Sequence, residues 1–253
     1  VSKKTQTVAS VQADHQRMTA LQSGQAESRT LTESLALDFS VLARCLDGLG
    51  DDDFAQIRSW AKLGITRRMQ AMGDLLCSRL GAQAAEALAA HPSDTVRGWA
   101  AYMIAGRAEG DLSDRLRALR PLADDAHFGV REWAWLALRP HLAADLPQAI
   151  TLLTPWTGER SDFLRRFASE ATRPRGVWCS HLAPLKEKPW LALPILQPLR
   201  ADPSVYVQDS VANWLNDAAK SQPDWVRDLC AQWRAAEASP ATERICTRAQ
   251  RSL

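Results

Sequence analysis

No uninterrupted apolar stretch in this chain approaches the roughly 18 to 20 residues needed to span a membrane. The richest run, LALPILQPL at residues 191–199, is broken by Pro194 and Pro198, which excludes a transmembrane helix. The N-terminal stretch also lacks the hydrophobic core of a signal peptide, so a cytoplasmic location is expected. Cysteine is sparse and scattered, at Cys45, Cys77, Cys179, Cys230 and Cys246, with no CxxC pair. An odd, dispersed set reads as reduced thiols rather than a disulfide framework. The five histidines are dispersed too, and Cys179 with His181 has no second pair, so no metal site is expected. An excess of one charge is missing as well: 31 basic residues against 29 acidic ones leave a net +2, and no global field points to a nucleic-acid partner. Tyrosine occurs only twice and no segment reads convincingly as a strand.

What the chain does contain is a repeat. HPSDTVRGWAAYMI begins at His91, DAHFGVREWAWLAL at Asp125, GERSDFLRRFASEA at Gly158 and DPSVYVQDSVANWL at Asp202. Each opens with a polar, turn-forming cluster and brings Val96, Val130, Leu164 and Val207 into register; the first two intervals are 34 residues and the last is 43. That period belongs to stacked helical pairs. The expected fold is all-α, a HEAT-like or armadillo-type helical-repeat solenoid with a concave binding face. Residues 1–28 are polar and rich in Gln, Ser and Thr, which predicts a flexible tail or a marginal first helix. Residues 29–253 are expected to form a single repeat domain.

Within that domain, the segment from Thr30 predicts one helix with Leu35, Phe39, Leu42 and Leu46 on a stripe behind a Thr cap and an acidic residue. A short helix with an acidic start follows, and then one that turns Met69, Met72 and Leu76 inward and stops at Gly81. Most prolines, from Pro121 to Pro223, are expected between helices or in their first turns. The tail after Ser239 and Pro240 predicts one last short helix.

Arginine outnumbers lysine 25 to 6, and Arg165, Arg166, Arg173 and Arg175 fall within eleven residues. Guanidinium forks suit phosphate oxygens, although a GC-rich genome gives the same bias without any ligand. Aligning the repeats sets Gly98, Glu132, Arg166 and Asp209 at one equivalent site. Glu132, Trp135 and Arg139 then share a helical face, as do Arg166, Glu170 and Arg173, and Asp209, Asn213 and Asn216 with Asp217. This set reads either as an ion ladder between helices or as a carboxylate and an aromatic in a cleft rimmed by arginine. Of the ten tryptophans, Trp99, Trp133 and Trp178 stand at core-like positions, whereas Trp60, Trp225 and Trp233 are expected between helices. Trp135 and Trp214 sit beside polar residues, where an exposed indole can stack on a base or hold a cation.

The runs FLRRFASEATRPRGVW, residues 163–178, and YVQDSVANWLNDAAKSQPDWV, residues 206–226, resemble the HEAT-like-repeat DNA alkylation repair glycosylases of the AlkC and AlkD type, with AlkC the nearer. The likeness covers roughly residues 30–250. It implies hydrolysis of the N-glycosidic bond of alkylated bases, N3-methyladenine among them, in duplex DNA, without metal, organic cofactor or dependence on base flipping. It further implies a monomer acting at the bacterial nucleoid. The catalytic candidates are Glu132, Trp135 and Asp162, with Glu170 and Asp217 as later choices. The DNA-binding candidates are Arg166, Arg173, Arg175, Asn213, Trp214 and Asn216. The chain departs from the AlkC-type pattern EFAxRP, because Trp135 stands four residues before Arg139 and Pro140 where that pattern has glutamate. Two alternatives therefore stay open beside the glycosylase: a non-catalytic protein that binds damaged or branched DNA, and a peptide-binding scaffold.

Overall fold

A computed structural model describes residues 7–12, 14–107, 109–236 and 239–253. The α-helices, in chain order, are α1 (Val8–Gln12), α2 (His15–Gln22), α3 (Leu31–Ala36), α4 (Phe39–Leu42), α5 (Asp51–Ser59), α6 (Ile65–Leu80), α7 (Ala84–Leu88), α8 (Asp94–Ala105) and α9 (Leu112–Ala123). They continue as α10 (Phe128–Ala144), α11 (Leu146–Leu153), α12 (Asp162–Ala171), α13 (Ala183–Glu187), α14 (Leu193–Leu196), α15 (Val205–Ala219), α16 (Pro223–Ala236) and α17 (Pro240–Ala249). No strand occurs among the described residues, and no helix among them is long and apolar enough to cross a membrane. The fold is an all-α HEAT-like helical repeat. It divides into two compact units, Val1–Glu109 with Asp125–Ala137, and Gly110–Asp124 with Leu138–Leu253.

In the first unit, the segment expected to be a flexible tail or a marginal first helix carries α1 and α2; residues 1–6 and 13 lie outside the described range. Val11, Met18 and Leu21 are buried, and Asp14 caps α2 by accepting from the Arg17 amide. The Arg17 guanidinium binds Glu33 at 2.7 Å, and this hydrogen bond holds the Glu33 carboxyl below the ordinary carboxylate value. Ser28 anchors the segment further: its N–H and hydroxyl donate to Asp94 at 2.8 and 2.7 Å, and its carbonyl lies 2.6 Å from His127 Nε2. Sparse aliphatics hid this packing, because polar side chains make most of the attachments.

The single helix expected from Thr30 is broken. Thr30 caps α3 as anticipated, but Leu37 turns extended and Asp38 restarts the chain by accepting from the Ser40 N–H and hydroxyl. A local Asx cap outcompetes continuation of the helix. In α6, by contrast, Met69, Met72 and Leu76 are all buried and the helix ends before Gly81, as the spacing predicts. Gly98, placed by alignment at the site equivalent to Glu132, Arg166 and Asp209, is buried in α8. A Cβ there would lie 2.5 Å from Trp133 Cδ1 and 2.8 Å from Met69 Cε. Gly98→Ala is therefore expected to lower stability by about 1–3 kcal/mol, the usual scale of overpacking. Thermal unfolding checks this; an unchanged Tm contradicts so close an approach.

The four anchors Val96, Val130, Leu164 and Val207 are buried in α8, α10, α12 and α15. The residue after each anchor repeats a second device. Arg97 Nη1 donates to the carbonyls of His91 and Pro92, Arg131 Nη1 to those of Asp125 and Ala126, and Arg165 Nη1 to those of Glu159 and Arg160. Gln208 reaches the Asp202 carbonyl in the same way. Each side chain closes the loop ahead of its own helix, satisfying carbonyls that helix geometry leaves without donors. Arg97 and Arg165 then pair with Asp125 and Asp202, at 2.9 and 2.6 Å. A substantial part of the arginine surplus is thus internal structure.

In the second unit α12 packs on α15 and α15 on α17. The longer final interval comes from the stretch between α12 and α15, which holds an irregular loop, α13, a 3-10 turn at Pro189–Ala192 and α14. Pro147, Pro184, Pro194, Pro223 and Pro240 sit in first turns as expected. Pro121 and Pro140 do not: both lie inside helices, α9 and α10. Lacking an N–H, Pro140 leaves the helical carbonyl four residues before it without its usual donor.

Candidate nucleic-acid interface

α10 carries the first candidate pair. Glu132 and Trp135 are one turn apart, and the Trp135 indole N–H donates to Glu132 Oε2 at 2.7 Å. Trp135 is only 3% exposed, so the expectation of an indole open to solvent is corrected: its ring belongs to the core and its nitrogen serves the carboxylate. Glu132 itself is half-buried. A charge-assisted bond from a rigid, enclosed donor fixes where that carboxylate points.

Arg139, read from sequence as a surface guanidinium, is 2% exposed. Its Nη1 donates to the Ala171 carbonyl at 2.8 Å and its Nη2 to the Arg173 carbonyl at 2.6 Å, while Nη2 and Nε reach the Ser180 carbonyl at 3.2 and 3.4 Å. Together with the Leu182 N–H donating to the Pro174 carbonyl at 3.1 Å, it staples the loop at residues 172–182. At Gly176 a Cβ would sit 2.5 Å from Cys179 Sγ and 3.4 Å from Arg139 Cζ, so only glycine lets the loop close over the guanidinium. At its outer tip Val177 is 57% and Trp178 42% exposed, and Trp178 adopts φ +62°, a left-handed conformation costly for a bulky residue. Trp178, read as core from its apolar neighbours, is instead an indole displayed at the surface.

Below this loop lies a charge cluster. Arg173 bridges Glu170 and Asp217, with Nη1 2.7 Å from Glu170 Oε1 and Nη2 2.8 Å from Asp217 Oδ2. The Ser210 hydroxyl donates to Glu170 Oε2 at 2.7 Å, and Arg166 stands 3.6 Å from the same oxygen. Burial pushes the Glu170 carboxyl up, but Arg166 and Arg173 outweigh it and keep the group below the ordinary value, ionised. Arg175 binds the Asp217 carbonyl and the Ser221 hydroxyl. The Arg166–Glu170–Arg173 stripe expected from spacing is therefore present, but Arg173 and Arg175 hold protein groups.

The remaining candidates are dispersed. Arg166 also lies over the Tyr206 ring, 4.5 Å from its centroid. Asp209 binds Arg244 and Arg248 of α17, which replaces the ladder expected for it. Asn213 accepts from Arg251, whereas Asn216 is buried and donates to the Ala249 carbonyl. Trp214 is 0% exposed and donates to the Thr172 carbonyl, so it packs the core and presents no stacking face. Asp162 opens α12 and accepts from the Ser204 hydroxyl at 2.6 Å; the capping role weighed for it belongs to Ser161.

A family model described as DNA alkylation repair enzyme matches residues 85–244. The chain belongs to that family. The protein YhaZ of Bacillus subtilis, itself uncharacterized, is 31% identical over 204 residues, covering 79% of this chain and 56% of its own length. Among solved structures, the alkylpurine DNA glycosylase AlkC of Pseudomonas fluorescens, bound to DNA containing an abasic-site analog, matches with a TM-score of 0.69 at 25% identity. That match covers 98% of this chain and 65% of AlkC, so the chain spans less than two thirds of either relative. The protein smu.31 of Streptococcus mutans shares the fold, with a TM-score of 0.56 at 20% identity over 80% of this chain and 94% of its own.

Against this DNA alkylation repair family, the reading from sequence missed two features of the site. The Arg139 staple was hidden because its partners are backbone carbonyls more than thirty residues on. The display of Trp178 did leave a signal, Gly176 within a run of Arg, Pro and Val, which marks a loop rather than a core segment.

Proposed function

We propose that this member of the DNA alkylation repair family is a DNA glycosylase that hydrolyses the N-glycosidic bond of alkylated bases, the N3-methyladenine type among them, in duplex DNA. The observation that carries the proposal is Glu132 held by the Trp135 indole N–H at 2.7 Å on a half-buried face of α10. An N3-alkylated purine is already cationic, so the bond electrons return to the base without a proton donor. The sugar left behind develops oxocarbenium character at C1′. A fixed carboxylate stabilises that charge and orients the water that adds to C1′, taking up its proton. Trp135 acts here as a positioning residue and Trp178 as the indole exposed toward DNA, in place of Trp214. Asp162 is kept as a second carboxylate beside the Ser204 hydroxyl. Arg166 and Asn213 are kept as DNA contacts on a monomeric protein.

The test is release of free base from methylated duplex by the purified chain. A specific observation favours a second reading, a non-catalytic binder of damaged or branched DNA: Trp135 occupies the place where the AlkC-type pattern has its glutamate. In that case the same assay gives salt-dependent duplex binding with no base released.

A further inference from the structure

Arg97, Arg131, Arg139, Arg165 and Arg173 are turned inward; a set at the C-terminal helix is not. Thr242, Ile245, Cys246 and Ala249 bury one side of α17. Arg244 and Arg248 follow at i and i+4, which sets them along one stripe, and Arg251 stands two residues past the helix end. Arg244 Nη2 and Arg248 Nε converge on a single oxygen, Asp209 Oδ1, at 2.8 and 3.0 Å. Arg251 Nη2 meets only a neutral acceptor of α15, Asn213 Oδ1, at 2.9 Å. Glu243, the acid of α17, is drawn to Arg234 of α16.

Two guanidiniums therefore share one carboxylate while Arg251 is held by neutral acceptors, so the segment carries positive charge in excess of the carboxylate that holds it. The Arg244 and Arg248 side chains keep 33% and 44% of their surface open. Each guanidinium has five donors, so those left over face outward. On α15 the stripe is prolonged by Tyr206, one turn before Asp209, with Arg166 over its ring.

We infer that Arg244 and Arg248 of α17, with Arg251 just beyond it, form a phosphate grip for duplex DNA, an inference that rests on the DNA reading above and extends it to the C-terminal helix. The arrangement fits a polyanion. Two guanidiniums on one acceptor are already ordered, so a phosphate diester meets them without further loss of side-chain freedom.

The experiment uses the double variant Arg248→Gln, Arg251→Gln and an unmodified duplex, with binding followed by fluorescence anisotropy between about 50 and 200 mM salt. Removing two phosphate contacts is expected to flatten the slope of log K against log salt by about 1.8 and to weaken low-salt binding about tenfold or more. Should the double variant fail to fold, Arg251→Gln, which holds only the Asn213 amide and the Arg248 carbonyl, reads the same effect at about half the size. Wild-type binding that either folded variant leaves unchanged in affinity and slope overturns the grip alone. A wild type that does not bind duplex overturns the DNA reading and the grip with it.

Discussion

Glu132→Gln is expected to reduce base release from methylated duplex by about 100-fold or more, the scale on which one preorganised electrostatic group acts in a transition state. The substitution keeps shape and position. The Trp135 N–H that donates to Glu132 Oε2 can donate to an amide oxygen in the same place, so the packing of α10 is retained. Only the charge is lost, and a neutral amide neither balances an oxocarbenium-like sugar nor accepts the proton of the attacking water. Because positive charge moves from the base onto the sugar toward the transition state, the effect falls on the chemical step. Duplex affinity, carried by arginine, is expected to stay within about twofold. Single-turnover release beside anisotropy binding checks both parts; unchanged release removes Glu132 from the mechanism.

Arg139→Met is expected to be the most destabilising substitution in the second unit, by about 3 kcal/mol or more. Its guanidinium, 2% exposed, is the donor to the carbonyls of Ala171, Arg173 and Ser180. Methionine fills much of the volume but donates nothing. Carbonyls left buried without donors cost about 1–3 kcal/mol each, and relaxation of the loop recovers part of that. For a chain of this size the loss corresponds to a fall in Tm of roughly 6–12 °C. Loop 172–182 is also expected to lose hydrogen-exchange protection, because the staple holds both ends of the segment that displays Trp178. A Tm within a degree of wild type contradicts this role.

These two residues also mark how far the sequence alone can be read. The helical repeat was legible because Val96, Val130, Leu164 and Val207 recur at a fixed interval, and a period of that length has few structural solutions. All four are buried. The pairing of Glu132 with Trp135 was legible from i, i+3 spacing, since both residues lie on one helix. The exposure of Trp135, Trp178 and Trp214 was not, because burial depends on what is packed opposite. Trp214 lies inside because α12 and α17 flank α15, and Trp178 lies outside because Arg139 pulls the loop backbone inward beneath it. The arginines misled for the same reason. A guanidinium whose acceptors are carbonyls five and six residues upstream looks in the sequence like one waiting for a phosphate. The break at Asp38 reflects competition between a cap and a continuing stripe, which hydrophobic spacing by itself does not resolve.

The measurement that bears most directly on this account is time-resolved release of free base from duplex DNA carrying N3-methyladenine, with the wild-type chain in excess over DNA and no metal or cofactor added. The account predicts first-order release of methyladenine that leaves an abasic site in the strand. Tight, salt-dependent binding to the same duplex with no base released would contradict it.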